Sequence, residues 1–111
     1  MYVYDLKDVP EEYVTPKHST AFGRLITGDR IEVGILRFKA GEGAEPHSHP
    51  HEQIIVVLRG RVKMTIDGQV FELVAGNAAH IPPNVVHGTD VIEDTEIISS
   101  KSIVGGVGHR I

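Results

Sequence analysis

The stretch GEGAEPHSHPHEQIIVVLRG, residues 41–60, carries most of the information about the fold of this chain. It ends in an apolar, β-branched run at 54–58, which is typical of a buried strand. Its middle places His47 and His49 two residues apart. On a strand these side chains share one face and can reach one metal ion, whereas on a helix they would point about 200° apart. The stretch therefore predicts β-structure with metal-ligating side chains beside a strand.

Short apolar segments fill much of the remaining chain, with turn residues roughly every eight to twelve positions. The sequence predicts strands at 21–27, 31–38, 53–59, 62–66, 69–74, 78–81, 86–91 and 95–100. Asp67-Gly68 between two of them is a strong hairpin signal. No segment of the sequence has the pattern of a long amphipathic helix. These features predict an all-β sandwich or barrel.

Composition limits the class of protein. The 111 residues provide for one domain, and 41% hydrophobic and 23% charged residues are ordinary for a globular chain. The absence of cysteine excludes disulfides, thiolate metal sites and cysteine nucleophiles. A net charge of -4 without a basic stripe argues against nucleic acid as a partner.

The two ends of the chain have fewer structural signals. Residues 1–10 carry several charges and no apolar run, so they do not resemble a signal peptide. No stretch approaches the roughly 18 to 20 apolar residues of a membrane span, and we therefore expect a cytoplasmic protein. Residues 1–20 are predicted to form an N-terminal arm, either a loop or a segment lying on a partner subunit. The glycine-rich residues 104–111 have no packing pattern and predict a flexible tail.

Five positions of the opening stretch resemble the first cupin motif. Gly41 is followed after five residues by His47-x-His49, then after three residues by Gln53 and after six by Gly60. The spacing agrees with the motif at every fixed position. The one change is Gln53, which stands where the motif most often has glutamate.

A second stretch, residues 76–91, resembles the second cupin motif. Gly76 is followed after five residues by Pro82-x-Asn84 and after two more by His87. Asn84 replaces a glycine and tolerates a positive φ nearly as well. The paired resemblance implies a single cupin domain over 1–111, folded as a double-stranded β-helix (an RmlC-like jelly-roll barrel), usually homodimeric.

The resemblance implies a divalent metal in the barrel mouth, held by His47, His49, Gln53 and His87. Imidazole and amide ligands suit zinc, nickel, iron, manganese or copper. Because Gln53 is neutral where glutamate would cancel one charge, the ion should keep its full charge. We therefore expect a small anionic ligand, such as a carboxylate, sugar acid or enediol.

Other polar residues near these motifs have less defined roles. Glu52 and His80 are the nearest candidates for general acid–base catalysis. His51 is expected to be exposed or to orient a ligand imidazole. His18 and His109 are expected to be solvated surface residues.

Three function classes remain open at this point. The stretch His47 to Gln53 is similar to that of KdgF-type cupins, which linearise 4,5-unsaturated uronates in carbohydrate metabolism. Those proteins also have an aspartate and a phenylalanine followed by an arginine on the last strand, where this chain has SSKSIV at 99–104. The alternatives are an oxygen-dependent cupin dioxygenase and a non-catalytic module that binds a sugar or another small molecule.

Overall fold

The computed structural model describes residues 2–111, in which eight β-strands and one 3₁₀ helix, Leu6–Asp8, make up the regular structure. The strands are β1 Glu12–Tyr13, β2 Phe22–Thr27, β3 Ile31–Phe38, β4 Gly43–His47, β5 Gln53–Ile66, β6 Gln69–Val74, β7 Ala78–Ile81 and β8 His87–Ser102. Among these residues, no helix has the length and hydropathy of a membrane-spanning segment. The predicted all-β class is confirmed.

All strand pairs are antiparallel, and β8 lies at the centre of the sheet order β1-β2-β3-β8-β5-β6. The first part of β8 pairs with β4 and with the second half of β5. Its last part pairs with β3 and with the first half of β5. Since one long strand contacts partners on both sides along its length, the sheet curls over and encloses an interior.

The two longest strands were each predicted as two shorter ones. In β5 the chain continues through Gly60, where the β5–β8 register shifts. Gly60 has a φ of 100°, and a Cβ there would overlap Thr95 Oγ1 and the Asp94 carbonyl oxygen. The glycine therefore permits a bulge that bends β5 without ending it. The prediction of a break at this position was wrong.

Two strands were absent from the prediction. The β4 sequence, GAEPH, has low strand propensity. It is nevertheless extended because it pairs with the start of β8, with a register shift between Ala44 and His47. The two-residue β1 pairs with β2 in the same way. Both are produced by tertiary pairing, which local propensity does not describe.

Side chains alternate between the interior and the outer surface along β5. Ile55 and Val57 are buried, whereas Ile54 and Leu58 are 45% and 47% exposed. The inward residues join a core of thirteen buried side chains: Val14, Ala21, Leu25, Leu36, Phe38, Ile55, Val57, Val62, Met64, Leu73, Ile81, Val91 and Ile97. Ile54 and Leu58 are therefore surface residues of this subunit.

Both terminal segments pack on the barrel. Val14 and Thr15 are buried in the region predicted as an arm over 1–20, of which Met1 lies outside the described residues. Thr15 Oγ1 donates a hydrogen bond to the His109 carbonyl at 2.7 Å. His109 itself is only 2% exposed. The prediction that His109 is a solvated surface residue is wrong, because its ring is buried against Glu32 of β3.

Candidate metal centre

Three imidazoles converge at one end of the interior. His47 is the last residue of β4, His49 lies in the loop before β5, and His87 is the first residue of β8. Each offers one ring nitrogen, and these three nitrogens lie within 4.8 Å of one another. The expectation that His47 and His49 share a strand face is wrong in detail, because the chain leaves the β-ladder after His47. The loop still brings His49 to the same point.

Each of these rings is oriented by a backbone carbonyl. The Nδ1 atoms of His47, His49 and His87 lie 2.6, 3.1 and 2.9 Å from a carbonyl oxygen two residues away in the chain. A carbonyl oxygen only accepts hydrogen bonds, so each Nδ1 carries the proton and donates it. Each Nε2 is therefore left with a free lone pair. Metal-ligating histidines are held in this way, and the donor set fits a divalent ion.

Burial keeps the three rings neutral. It lowers the pKa of His47 and of His87, and it lowers the pKa of His49 to about 4, with the charge of Lys101 adding to the shift. Neutral imidazole is the form that binds metal ions. At neutral pH the three lone pairs are available.

Gln53, the first residue of β5, is buried beside this cluster. Its Oε1 lies 3.1 Å from His49 Nε2, and its Nε2 donates to Ser99 Oγ at 2.9 Å. Since His49 Nε2 carries no proton, two atoms with lone pairs face each other. A cation shared between them would relieve this repulsion. Three imidazole nitrogens and one amide oxygen suit the metals named above without selecting one.

The cluster opens on a small interior cavity of about 60 Å³. This volume holds only a few water molecules. Apolar side chains such as Leu36, Phe38 and Met64 form much of its wall. Within residues 2–111, no aspartate or glutamate lines it.

Lys101 of β8 is a cavity residue that neither sequence motif includes. It is 3% exposed, lies opposite Gln53 in the β5–β8 ladder and lines the cavity. It takes part in none of the ion pairs found among residues 2–111. Burial lowers its pKa to about 8, so at pH 7 the side chain remains mostly a cation. The signal was the alternation of Ile97, Ser99 and Lys101, which places all three side chains on the inner face.

Ser99, His109 and Glu32 form a second group that motif spacing could not indicate. His109 Nε2 lies 2.9 Å from Ser99 Oγ, and His109 Nδ1 lies 2.6 Å from Glu32 Oε1. Glu32 and His109 are 77 residues apart in the chain and meet because the segment that follows β8 lies against β3. Ser99 and His109 both line the cavity.

The acid–base candidates Glu52 and His80 lie elsewhere. His80 Nε2 and Glu52 Oε2 lie 2.7 Å apart on the surface, and both side chains are more than half exposed. Neither lines the cavity, because Glu52 precedes β5 and His80 lies on the outer face of β7. The structure does not bring them together with the imidazole cluster.

His18 and His51 surround the cluster in different ways. The His18 ring stacks on His47, with ring centroids 4.7 Å apart. His51 is buried, its carbonyl accepts the His49 hydrogen bond, and its Nε2 donates to the Val107 carbonyl at 2.7 Å. His51 thus helps to orient His49 and holds the C-terminal segment.

Comparison with known proteins gives the family. Residues 34–99, more than half of the chain, match the Cupin domain family. The chain is 32% identical over 85 residues to a quercetin 2,3-dioxygenase from Bacillus subtilis (strain 168), covering 75% of this chain and 25% of that protein. It spans between 25% and 42% of the length of the curated relatives that it matches.

Solved structures agree with the fold. An RmlC-like cupin from Shewanella frigidimarina NCIMB 400 superposes with a TM-score of 0.83 at 20% identity, covering 95% of this chain and 93% of that one. KdgF from Halomonas sp. superposes with a TM-score of 0.79 at 22% identity, covering 92% and 93%. These matches confirm the jelly-roll barrel that the two motifs predict. The chain belongs to the cupin family.

Proposed function

We propose that the cavity holds a divalent metal ion on His47, His49, His87 and Gln53, and that it binds a small ligand through a carboxylate group. The observation that carries this proposal is the set of charges around the cavity. Three neutral imidazoles and a buried lysine line or border it, and no carboxylate of residues 2–111 lines it. The site therefore has no negative charge of its own facing the ion.

This imbalance favours an anionic ligand. A divalent ion held by neutral ligands keeps its full charge, and the Lys101 ammonium adds another in the same apolar surroundings. Glu32, opposite Lys101 in the β3–β8 ladder, offsets part of the lysine charge but does not line the cavity. The charge of a bound ion would stay uncompensated, which is costly, and an anionic ligand relieves it. The small volume of the cavity admits a carboxylate group more easily than a whole sugar ring.

The metal ion and the cavity side chains would have different roles in binding the ligand. A bound divalent ion would supply Lewis acidity at the ligand. Lys101 provides a hydrogen-bonding cation for a carboxylate oxygen, and the apolar wall excludes water around it.

The test compares Lys101→Met with Lys63→Met, a change of an exposed lysine on β5. Each nickel-loaded protein is titrated calorimetrically with acetate and with pyruvate. We expect Lys101→Met to weaken carboxylate binding by roughly 10-fold or more, because a charge-assisted hydrogen bond is lost. Its metal content should equal that of Lys63→Met. Equal carboxylate affinity in the two variants would contradict the proposal.

Unsaturated uronates are one substrate class that fits a carboxylate site. The resemblance of residues 47–53 to KdgF-type proteins supports them, whereas the different last strand, with Lys101, does not follow that pattern. Loss of the ultraviolet absorbance of a 4,5-unsaturated uronate, dependent on the metal, would support linearisation. Binding of the same compound without turnover would indicate a binding module.

An oxygen-dependent reaction is the second candidate. The 32% identity to a quercetin 2,3-dioxygenase extends over 75% of this chain and favours it. Iron-, copper- and manganese-loaded protein should then consume oxygen with enediol or catechol compounds. Failure of every loaded form to consume oxygen with any of them would exclude this candidate.

A further inference from the structure

A chain of hydrogen bonds runs from the barrel wall to the cavity. Glu32 Oε1 contacts His109 Nδ1 at 2.6 Å, His109 Nε2 contacts Ser99 Oγ at 2.9 Å, and Ser99 Oγ contacts Gln53 Nε2 at 2.9 Å. The fourth contact, between Gln53 Oε1 and His49 Nε2, ends in the imidazole cluster. All five residues are buried from bulk solvent.

Donor and acceptor chemistry gives this chain a single direction. A carboxylate only accepts, and Glu32 Oε1 also accepts the backbone N–H of His109 at 2.6 Å. His109 Nδ1 must therefore be the protonated nitrogen, which leaves Nε2 as an acceptor. Burial lowers the pKa of His109 to about 4, which agrees with a ring that carries one proton at neutral pH.

The same direction of hydrogen-bond donation fixes the orientation of the Gln53 amide. Because His109 Nε2 accepts, Ser99 must donate its hydroxyl proton to it and can only accept from Gln53. Gln53 therefore presents its NH₂ group to Ser99 and its oxygen to His49. Thr27 Oγ1, which donates to Glu32 Oε2 at 2.7 Å, holds the carboxylate at the far end of the chain.

We propose that Glu32 and His109 are positioning residues that act through Ser99 to keep the oxygen end of the Gln53 amide turned toward the metal-binding imidazoles. This inference rests on the proposed metal site. The two ends of an amide have nearly the same shape, so packing alone does not choose between them. An NH₂ group turned toward the ion cannot act as a ligand, and the selection of the oxygen end raises metal affinity.

The experiment measures the affinity for Zn²⁺ by competition with a chelator and records the electron paramagnetic resonance spectrum of the Cu²⁺ form. The variants are Ser99→Ala and His109→Phe, each made in the natural background and in a Gln53→Glu background. Glutamate at position 53 has two oxygen ends and needs no selection. Ser99→Ala removes one hydroxyl group and keeps the test usable where His109→Phe does not fold, and circular dichroism checks each fold.

In the natural background we expect each variant to lower Zn²⁺ affinity by roughly 10-fold or more and to change the Cu²⁺ spectrum. In the Gln53→Glu background the affinity for Zn²⁺ should stay the same or rise. Ser99 and His109 would compete with the metal for the new carboxylate or repel it, and each variant removes one of them. An equal loss in both backgrounds, or a loss in neither, would overturn the positioning role. Absence of metal binding by the unchanged protein would instead overturn the proposed function, and this inference with it.

Discussion

Each imidazole of the candidate centre is oriented by a backbone carbonyl, which selects Nε2 as the nitrogen that faces the other rings. His49 and His87 are both 4% exposed, and His49 also contacts Gln53. Its position in a loop, and not in a strand, means that its removal leaves the β-ladders intact.

His49→Ala should therefore lose most of its metal while remaining folded. With one of the predicted ligands missing, the metal content after dialysis should fall to a small fraction of that of the unchanged protein. Elemental analysis measures the metal, and circular dichroism confirms the fold. His80→Ala, an exposed histidine outside the cavity, is the matched control and should keep its metal. Full metal content in His49→Ala would remove this residue from the site.

The residues of the cluster could be predicted because they lie in two short motifs of fixed spacing. Lys101 and His109 could not, because their roles depend on contacts made across the sheet. Lys101 reaches the cavity through its pairing position opposite Gln53, and His109 is buried where it contacts Glu32 and Ser99. A single sequence does not state which strands are neighbours.

At the scale of strands, the bend in β5 determines where its two halves can pair. Gly60 allows the strand to pass close to Thr95 of β8 with a positive φ. The strand segments on either side were predicted from their apolar patterns, but their continuity was not. The bulge is a tertiary feature, and the sequence shows it only as a glycine.

Gly60→Ala should lower the free energy of unfolding by roughly 3 kcal/mol or more, from backbone strain and the overlap with the Asp94 carbonyl. Gly76→Ala is a useful comparison, because Gly76 also has a positive φ but has open space around it. That change should cost roughly 1 kcal/mol. Urea unfolding measures both values, and equal losses would show that the close approach at Gly60 is unimportant.

At the scale of the whole molecule, the buried histidines should make the metal-free protein sensitive to acid. Burial lowers the pKa of His49 and of His109 from 6.5 to about 4. Between these values the unfolded chain binds protons that the folded protein does not, so stability falls as the pH falls from about 6.5 to about 4. The lowered pKa of Glu32 acts in the same direction at the acid end. Thermal unfolding midpoints that stay constant from pH 7 to pH 5 would contradict this expectation.

The homodimer expected from the sequence remains a prediction, and the outer face of β5 is the surface that we expect to form it. Ile54 and Leu58 are large aliphatic side chains exposed on that face. Ile54→Asp should convert a dimer into a monomer, because burying the new charge would be costly. Light scattering during size-exclusion chromatography measures the mass. Val70→Asp, at an exposed position of β6, should leave the mass unchanged, and a monomeric unchanged protein would refute the prediction.

The central position of β8 has a consequence for maturation. Its first residue is His87, and Ser99 and Lys101 lie near its other end, so the cavity exists only after this strand has paired with β3, β4 and β5. Pairing between residues so distant in sequence is slow, and a nascent chain offers an incoming ion no complete set of ligands. Metal loading would then follow barrel closure, and the ion recovered from an expression host would reflect the supply in the growth medium at that late stage.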